Sequence, residues 1–153
     1  MTNKEKFKDT LDSLYKELCD VSDWMYHNPE LGFEEYKTSK YLVNFIESKN
    51  AKVNYPSHSL ETAFDVTFGD SGPLVVLCVE YDALPEIGHA CGHNIIATAS
   101  IGAGLGLQDL ANDLGIRVKL LGTPAEEGGG GKIILLDNGA FEDAKCSMMI
   151  HPG

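Results

Sequence analysis

The apolar run Leu74–Val79 is the feature that most restricts the fold of this chain. It holds six successive apolar residues and shows no alternation of apolar with polar positions. A strand of this kind is covered on both faces, as in a parallel or mixed sheet with helices on each side. The run therefore predicts a buried strand at the centre of an α/β sheet.

Helical and extended patterns alternate along the rest of the chain. An apolar stripe at spacings of three and four, which includes Phe7, Leu14 and Val21, predicts an amphipathic helix over 4–27. Further helices are predicted over 34–49, 94–111 (with Asn94 as a candidate N-cap) and 132–138, and further strands over 52–55, 62–68, 116–121 and 145–150. This order is typical of the α/β class.

Composition excludes several functional classes. With 153 residues the chain is expected to form one domain, and its formal net charge of −11 argues against nucleic-acid binding and against docking on anionic lipid. No apolar run approaches the roughly 18 residues of a membrane span, and the charged start predicts no signal peptide. The four cysteines are scattered without a Cys-x-x-Cys pair, which favours a reducing, cytoplasmic setting.

Three of the predicted strands are followed directly by candidate functional groups. Asp82 follows the first strand, Glu126 and Glu127 follow the second, and His151 follows the third. Open α/β sheets bind ligands at the carboxyl ends of their strands, so these groups are expected to meet in space. Cys91 and His93 lie in a loop from the same edge.

A thiolate, imidazoles and a carboxylate are ligands for Zn²⁺, and less selectively for Mn²⁺ or Co²⁺. The predicted ligand set is Cys91, His93, Glu127 and His151. Cys-x-His spacing by itself is more often a buried cysteine beside a hydrogen-bonded loop histidine. Its place beside a strand end, with an acidic pair and a histidine at two further strand ends, favours a metal site.

The acidic pair admits two interpretations. Adjacent glutamates are commonly a solvated turn, whereas a functional pair divides two roles. Glu127 would bind metal, and Glu126 would take a proton from water and pass it to a leaving amine. A closed structural zinc site is a weaker alternative, because it has no use for a spare base.

The neighbouring groups are less informative. Asp82 is expected to orient a ligand, or otherwise to cap a helix or turn. Glu80 and His89 receive no role. The run Gly128–Lys132 is not a P-loop, because Glu126 stands where the first glycine is required and Ile133 follows the lysine.

Four motifs occur together in this chain: His-Asn-Pro-Glu-Leu-Gly-Phe-Glu-Glu at 27–35, Tyr-Asp-Ala-Leu-Pro at 81–85, His-Ala-Cys-Gly-His at 89–93 and Pro-Ala-Glu-Glu-Gly at 124–128. In this order and spacing the chain resembles the amidohydrolase branch of the aminoacylase/carboxypeptidase family of co-catalytic metallopeptidases. The form Cys-Gly-His-Asn with a closing His-Pro is most similar to the aminobenzoyl-glutamate hydrolase and β-alanyl-dipeptide hydrolase subgroup.

The resemblance implies two divalent metal ions, Zn²⁺ or Mn²⁺, that activate a water for hydrolysis of an N-acyl-amino acid or dipeptide. It implies that Cys91, His93, Glu127 and His151 are ligands, that Glu126 is the general base and that Asp82 supports a ligand histidine. Glu80 stands where other branches place a histidine, and Asn94 stands where much of this branch has aspartate.

The resemblance also implies a three-layer α/β/α fold with a sheet of mostly parallel strands. Family members are more than twice as long and insert a lid and dimerisation domain after the region that matches His151. Residues 1–153 are therefore expected to form the incomplete N-terminal segment of the catalytic domain, without the lid. The alternative function is a catalytically inactive segment that at most binds metal or self-associates, as a homo-oligomer for example.

Overall fold

The computed structural model describes residues 1–152, and Gly153 lies outside them. The described chain contains six helices and four strands: α1 (Asn3–His27), α2 (Tyr36–Glu47), β1 (Phe64–Phe68), β2 (Leu74–Val79), α3 (His93–Leu107), α4 (Ala111–Leu114), β3 (Arg117–Gly122), α5 (Glu126–Gly129), α6 (Gly131–Asp137) and β4 (Ala144–Met148). The strand order in the sheet is β1-β3-β2-β4. β2 pairs in parallel with both β3 and β4, while β1 is antiparallel to β3, so the sheet is mostly parallel as predicted.

Both faces of β2 are covered. Leu77 and Val79 belong to the larger apolar cluster, which includes residues of α1, α2 and α3, whereas Val76 and Cys78 belong to a second cluster with Leu135 of α6. Helices therefore lie on both sides of the sheet. The three-layer α/β/α prediction and the absence of alternation in this strand have the same cause, which is burial on both faces.

The first helix begins and ends as its sequence predicts. Thr2 accepts a hydrogen bond from the amide of Glu5, and the Glu5 carboxylate accepts one from the amide of Thr2, which forms a capping box. The helix ends at His27, directly before Asn28 and Pro29. No helix in residues 1–152 has both the length and the apolar character needed to cross a bilayer.

The helix α3 packs closely on both of its neighbours. A Cβ atom at Gly104 would lie 2.5 Å from the side chain of Leu120 in β3, so only glycine permits this approach. The Ser100 hydroxyl donates to the carbonyl of Cys78 in β2 at 2.7 Å. This packing fixes the N-terminus of α3, where His93 lies, relative to the end of β2.

The structure corrects three local predictions. Residues 52–55 form no strand; Asn54 makes only an isolated bridge with Asp65. The helix predicted over 94–111 ends at Leu107, and the short α4 follows it. Asn94 is not the N-cap, because Gly92 occupies that position and the Asn94 amide instead donates to the Ser22 hydroxyl at 3.0 Å. In each case tertiary contacts outweigh the local pattern.

Candidate metal centre

The parallel arrangement of β2, β3 and β4 places three strand ends at one edge of the sheet. The groups that follow these strands approach one another there. Potential ligand atoms of Glu80, His93 and His151 all lie within 4.8 Å of each other, and so do those of His93, Glu126 and Glu127. His93 belongs to both groups and is the centre of the arrangement.

His93 is held in one orientation by Asp82. Its Nδ1 lies 2.7 Å from the backbone carbonyl oxygen of Asp82 and 3.1 Å from Asp82 Oδ1, so Nδ1 donates and Nε2 is turned into the cluster. Burial alone would lower the pKa of His93, but the hydrogen bond to Asp82 and the charges of Asp82 and Glu80 raise it above its ordinary value. This pairing is what the motifs led us to expect of Asp82.

Asp82 also orients the acidic pair. Its Oδ2 accepts a hydrogen bond from the backbone amide of Glu127 at 3.0 Å. Burial opposes ionisation of Asp82, but the hydrogen bonds with His93 and with the amide of Glu127 lower its pKa below the usual value. One buried carboxylate therefore links the end of β2 to α3 and to the loop after β3.

The Nε2 atom of His93 faces three carboxylates. It lies 3.4 Å from Glu80 Oε2, 3.6 Å from Glu127 Oε1 and 4.0 Å from Glu126 Oε2. His93 Nε2 and Glu80 Oε2 are both buried without a hydrogen-bond partner. Buried polar atoms are nearly always paired, so two unpaired atoms that face one another fit a centre that binds a divalent cation.

Glu126 and Glu127 occupy a loop that another carboxylate holds in place. Ala125, immediately before them, has a left-handed backbone with φ of +56°. Its amide donates to the buried Glu35 at 2.8 Å, and Thr62 donates to the other Glu35 oxygen at 3.0 Å. Burial raises the pKa of Glu35 despite these bonds. Sequence reasoning gave Glu35 no role, although it lies in the first motif.

Cys91 and His151 lie at the periphery of the cluster. The ring of the exposed His151 is 6.3 Å from the ring of His93 in an edge-on arrangement, and its Nδ1 lies 2.7 Å from the carbonyl of Pro152. Cys91 is half-buried and contacts Glu127, but it lies outside both groups of mutually close ligand atoms. The hydrogen bond with Glu127, together with desolvation and the charges of Glu127, Glu126 and Asp82, raises the pKa of the Cys91 thiol to about 11.

This raised pKa leads to a testable expectation for the metal-free chain. Because the thiolate is the reactive form, Glu127→Gln should lower the pKa of Cys91 and speed its alkylation by iodoacetamide at pH 8 several-fold. The measurement is the alkylation rate of the peptide that contains Cys91, by mass spectrometry with chelator present. Glu142→Gln, at an exposed position outside the cluster, is the control, and equal rates in all three proteins would contradict the assignment.

Two neighbouring residues were not identified from sequence. Glu80 is fully buried, and its Oε1 forms an ion pair with Lys132 at the start of α6. Lys132 Nζ also lies 4.0 Å from Glu126 Oε1. The lysine that follows the glycine run therefore contacts carboxylates and not a phosphate. No sequence pattern signals this pair, because its partners are 52 residues apart.

Comparison with known proteins supports the family resemblance. No family model matches the chain. Xaa-Arg dipeptidase from Mus musculus is 38% identical over 164 residues, which cover 97% of this chain and 38% of that protein. A p-aminobenzoyl-glutamate hydrolase from Escherichia coli is 29% identical in one of its subunits, over 94% of this chain and 34% of that subunit. A dinuclear metal-binding peptidase from Bacillus subtilis superposes with a TM-score of 0.80 at 22% identity, over 89% of this chain and 42% of that structure.

The fold is that of a metallopeptidase catalytic domain, present here as an open, partial sheet. The chain belongs to the amidohydrolase branch of the aminoacylase/carboxypeptidase family of co-catalytic metallopeptidases. It spans little more than a third of the length of these curated relatives.

Proposed function

We propose that this chain forms the N-terminal segment of the catalytic domain of a metal-dependent amidohydrolase or dipeptidase. The observation that carries the proposal is the buried, unpartnered Nε2 of His93, which faces three carboxylates at 3.4–4.0 Å. A histidine whose other ring nitrogen is fixed by a carboxylate is the usual arrangement of a metal ligand. Similar proteins are a dipeptidase and an aminobenzoyl-glutamate hydrolase.

The ligands in this proposal are Cys91, His93, Glu127 and His151, which would hold two divalent ions, Zn²⁺ or Mn²⁺. The mixture of thiol, imidazole and carboxylate suits Zn²⁺ best, although Mn²⁺ is compatible with the nitrogen and oxygen ligands. When bound, the metal supplies a Lewis acid that polarises an amide carbonyl and lowers the pKa of water to about 7.

Glu126 is the general base in this proposal. Its side chain is 38% exposed, compared with 26% for Glu127, and it faces His93 from the open side of the cluster. A carboxylate in this position is able to accept a proton from the attacking water and to deliver it to the leaving amine. Asp82 is a positioning residue, since it fixes the His93 ring and the Glu127 amide from behind.

Two clefts border the cluster, one on each side. A cleft of about 270 Å³ lies between Phe33, Pro85 and Glu127, and another of about 340 Å³ lies between Tyr26, Cys91 and His151. A small substrate with a group on each side of its amide bond suits this arrangement. We propose an N-acyl-amino acid or a dipeptide-like substrate, in keeping with the names of the relatives.

The cellular setting and assembly are part of the same proposal. All four cysteines are free in the described structure, which supports a reducing, cytoplasmic compartment. The exposed edge strand β4 and the apolar side chains near it, Ile133, Leu136, Met148, Met149 and Ile150, form a surface that favours self-association.

The metal content of the purified chain tests the proposal. Protein prepared without chelator is expected to carry about two metal ions per chain, and Cys91→Ala/Glu127→Ala is expected to carry few, because two ligands are lost. The measurement is elemental analysis of both proteins. Cys19→Ala/Glu47→Ala, which changes the same residue types at exposed positions, is the matched control and should retain the wild-type content.

A negative result is equally informative. Little or no metal in the wild-type chain would show that these residues do not hold the site by themselves. The chain would then act as an inactive segment or as a binding partner.

A further inference from the structure

Glu80 carries a buried carboxylate oxygen that nothing in the described protein satisfies. Its side chain is 0% exposed and follows β2 directly. Lys132 pairs with Oε1, whereas Oε2 has no hydrogen-bond partner. A buried anionic oxygen without a partner is costly, so its presence requires an explanation.

The unsatisfied oxygen faces the unsatisfied nitrogen of His93. The two atoms are 3.4 Å apart, and a ligand atom of His151 lies within 4.8 Å of both. In tetrahedral zinc sites, with ligand bonds of about 2.0–2.2 Å, adjacent nitrogen and oxygen ligands lie roughly 3.3–3.6 Å apart. The separation of Glu80 Oε2 from His93 Nε2 has this value.

We infer that Glu80 is a further metal ligand, which binds through Oε2 the same ion as His93. Its Oε1 is held by Lys132, which fixes the carboxylate so that Oε2 is directed into the centre. This inference rests on the proposed function, since it assumes that the cluster binds a divalent ion. It adds a fifth protein ligand to the four that the motifs indicate.

A purely structural ion pair between Glu80 and Lys132 is the competing explanation. It accounts for Oε1 but leaves Oε2 without a partner. The two explanations differ in what they predict for the two partners. If the pair is only structural, removing either residue should have similar consequences. If Glu80 is a ligand, loss of the carboxylate should weaken metal binding, whereas loss of the lysine should not, because Lys132 is a cation beside a cation site.

The test is the affinity for Zn²⁺, measured by competition with a chromophoric chelator. Glu80→Gln is expected to weaken binding at least about a hundredfold, the upper end of what loss of an outer partner costs. Lys132→Met is expected to bind as tightly as wild type or more tightly. Glu47→Gln, at an exposed position, is the matched control and should not change the affinity. The visible spectrum of bound Co²⁺ is expected to change in Glu80→Gln and not in Glu47→Gln.

The double variant Glu80→Gln/Lys132→Met removes both charges of the pair and covers the case in which Glu80→Gln alone does not fold. It should show the weakened binding of Glu80→Gln. Equal affinities in Glu80→Gln and wild type, or equal losses in Glu80→Gln and Lys132→Met, would overturn the inference and leave the proposed function intact. A wild-type chain that binds no Zn²⁺ would overturn both.

Discussion

Glu126→Ala is expected to reduce kcat/KM for a dipeptide or N-acyl-amino acid about 10²–10⁴-fold, the usual contribution of general acid–base catalysis. The reason is that Glu126 is the one member of the acidic pair that the proposal leaves free to carry a proton. Two charged neighbours, His93 Nε2 and Lys132 Nζ, are each 4.0 Å from its carboxylate. The measurement is steady-state hydrolysis of the substrate that the wild-type chain cleaves best in a panel of dipeptides and N-acyl-amino acids.

The metal content of the same variant separates a base from a ligand. Glu126→Ala should retain the metal of the wild-type protein, and the loss should fall on kcat more than on KM. Glu142→Ala, an exposed glutamate, is the control for the loss of one negative charge. Undiminished turnover in Glu126→Ala would exclude this mechanism, and loss of metal would reassign the residue as a ligand.

Gly131→Ala is expected to destabilise the chain by about 3 kcal/mol, the upper end of the usual cost of overpacking, and to weaken metal binding. A Cβ atom at Gly131 would lie 1.8 Å from the carbonyl oxygen of Pro124. Because that oxygen belongs to the backbone, no change of rotamer relieves the clash. The amide of Gly131 also donates to the carbonyl of Ala125 at 3.0 Å, so the loop that carries Glu126 and Glu127 must move.

The glycine run supplies its own control for this prediction. Gly128 has an extended backbone with φ of 166°, and a Cβ atom there would meet nothing within 4 Å. Gly128→Ala should therefore change the free energy of unfolding by no more than about 0.5 kcal/mol. The measurements are urea denaturation and Zn²⁺ affinity of both variants. Equal stabilities would show that the loop adapts to a side chain at position 131.

The α/β architecture could be predicted because each strand and helix leaves a local pattern. Six apolar residues in succession at 74–79 indicate burial on both faces, and the structure places apolar clusters on both sides of β2. The stripe of α1 and the proline after it defined a helix to within a residue or two. Local patterns failed where packing decided the outcome, as at residues 52–55, which lie beside β1 without forming a strand.

Part of the candidate centre was also predictable. Parallel strands bring their carboxyl ends to one edge, so the positions of Asp82, Glu127 and His151 after three strands predicted that they would meet. The structure brings His93, Glu126 and Glu127 together, and it brings His151 to His93, while Cys91 contacts Glu127 at the periphery. Their roles as ligands and base stay predictions, which the metal content and the turnover of the variants test.

The sequence by itself determined the fold class, the family and the set of chemical groups at the edge of the sheet, because these depend on local periodicity and on motifs. Only the tertiary structure showed that Glu80 is buried with an unpaired oxygen, that Lys132 neutralises its other oxygen and that Glu35 supports Ala125 from 90 residues away. These properties depend on burial and on contacts between distant segments. The energy of a buried charge is set by its surroundings and not by its neighbours in the chain.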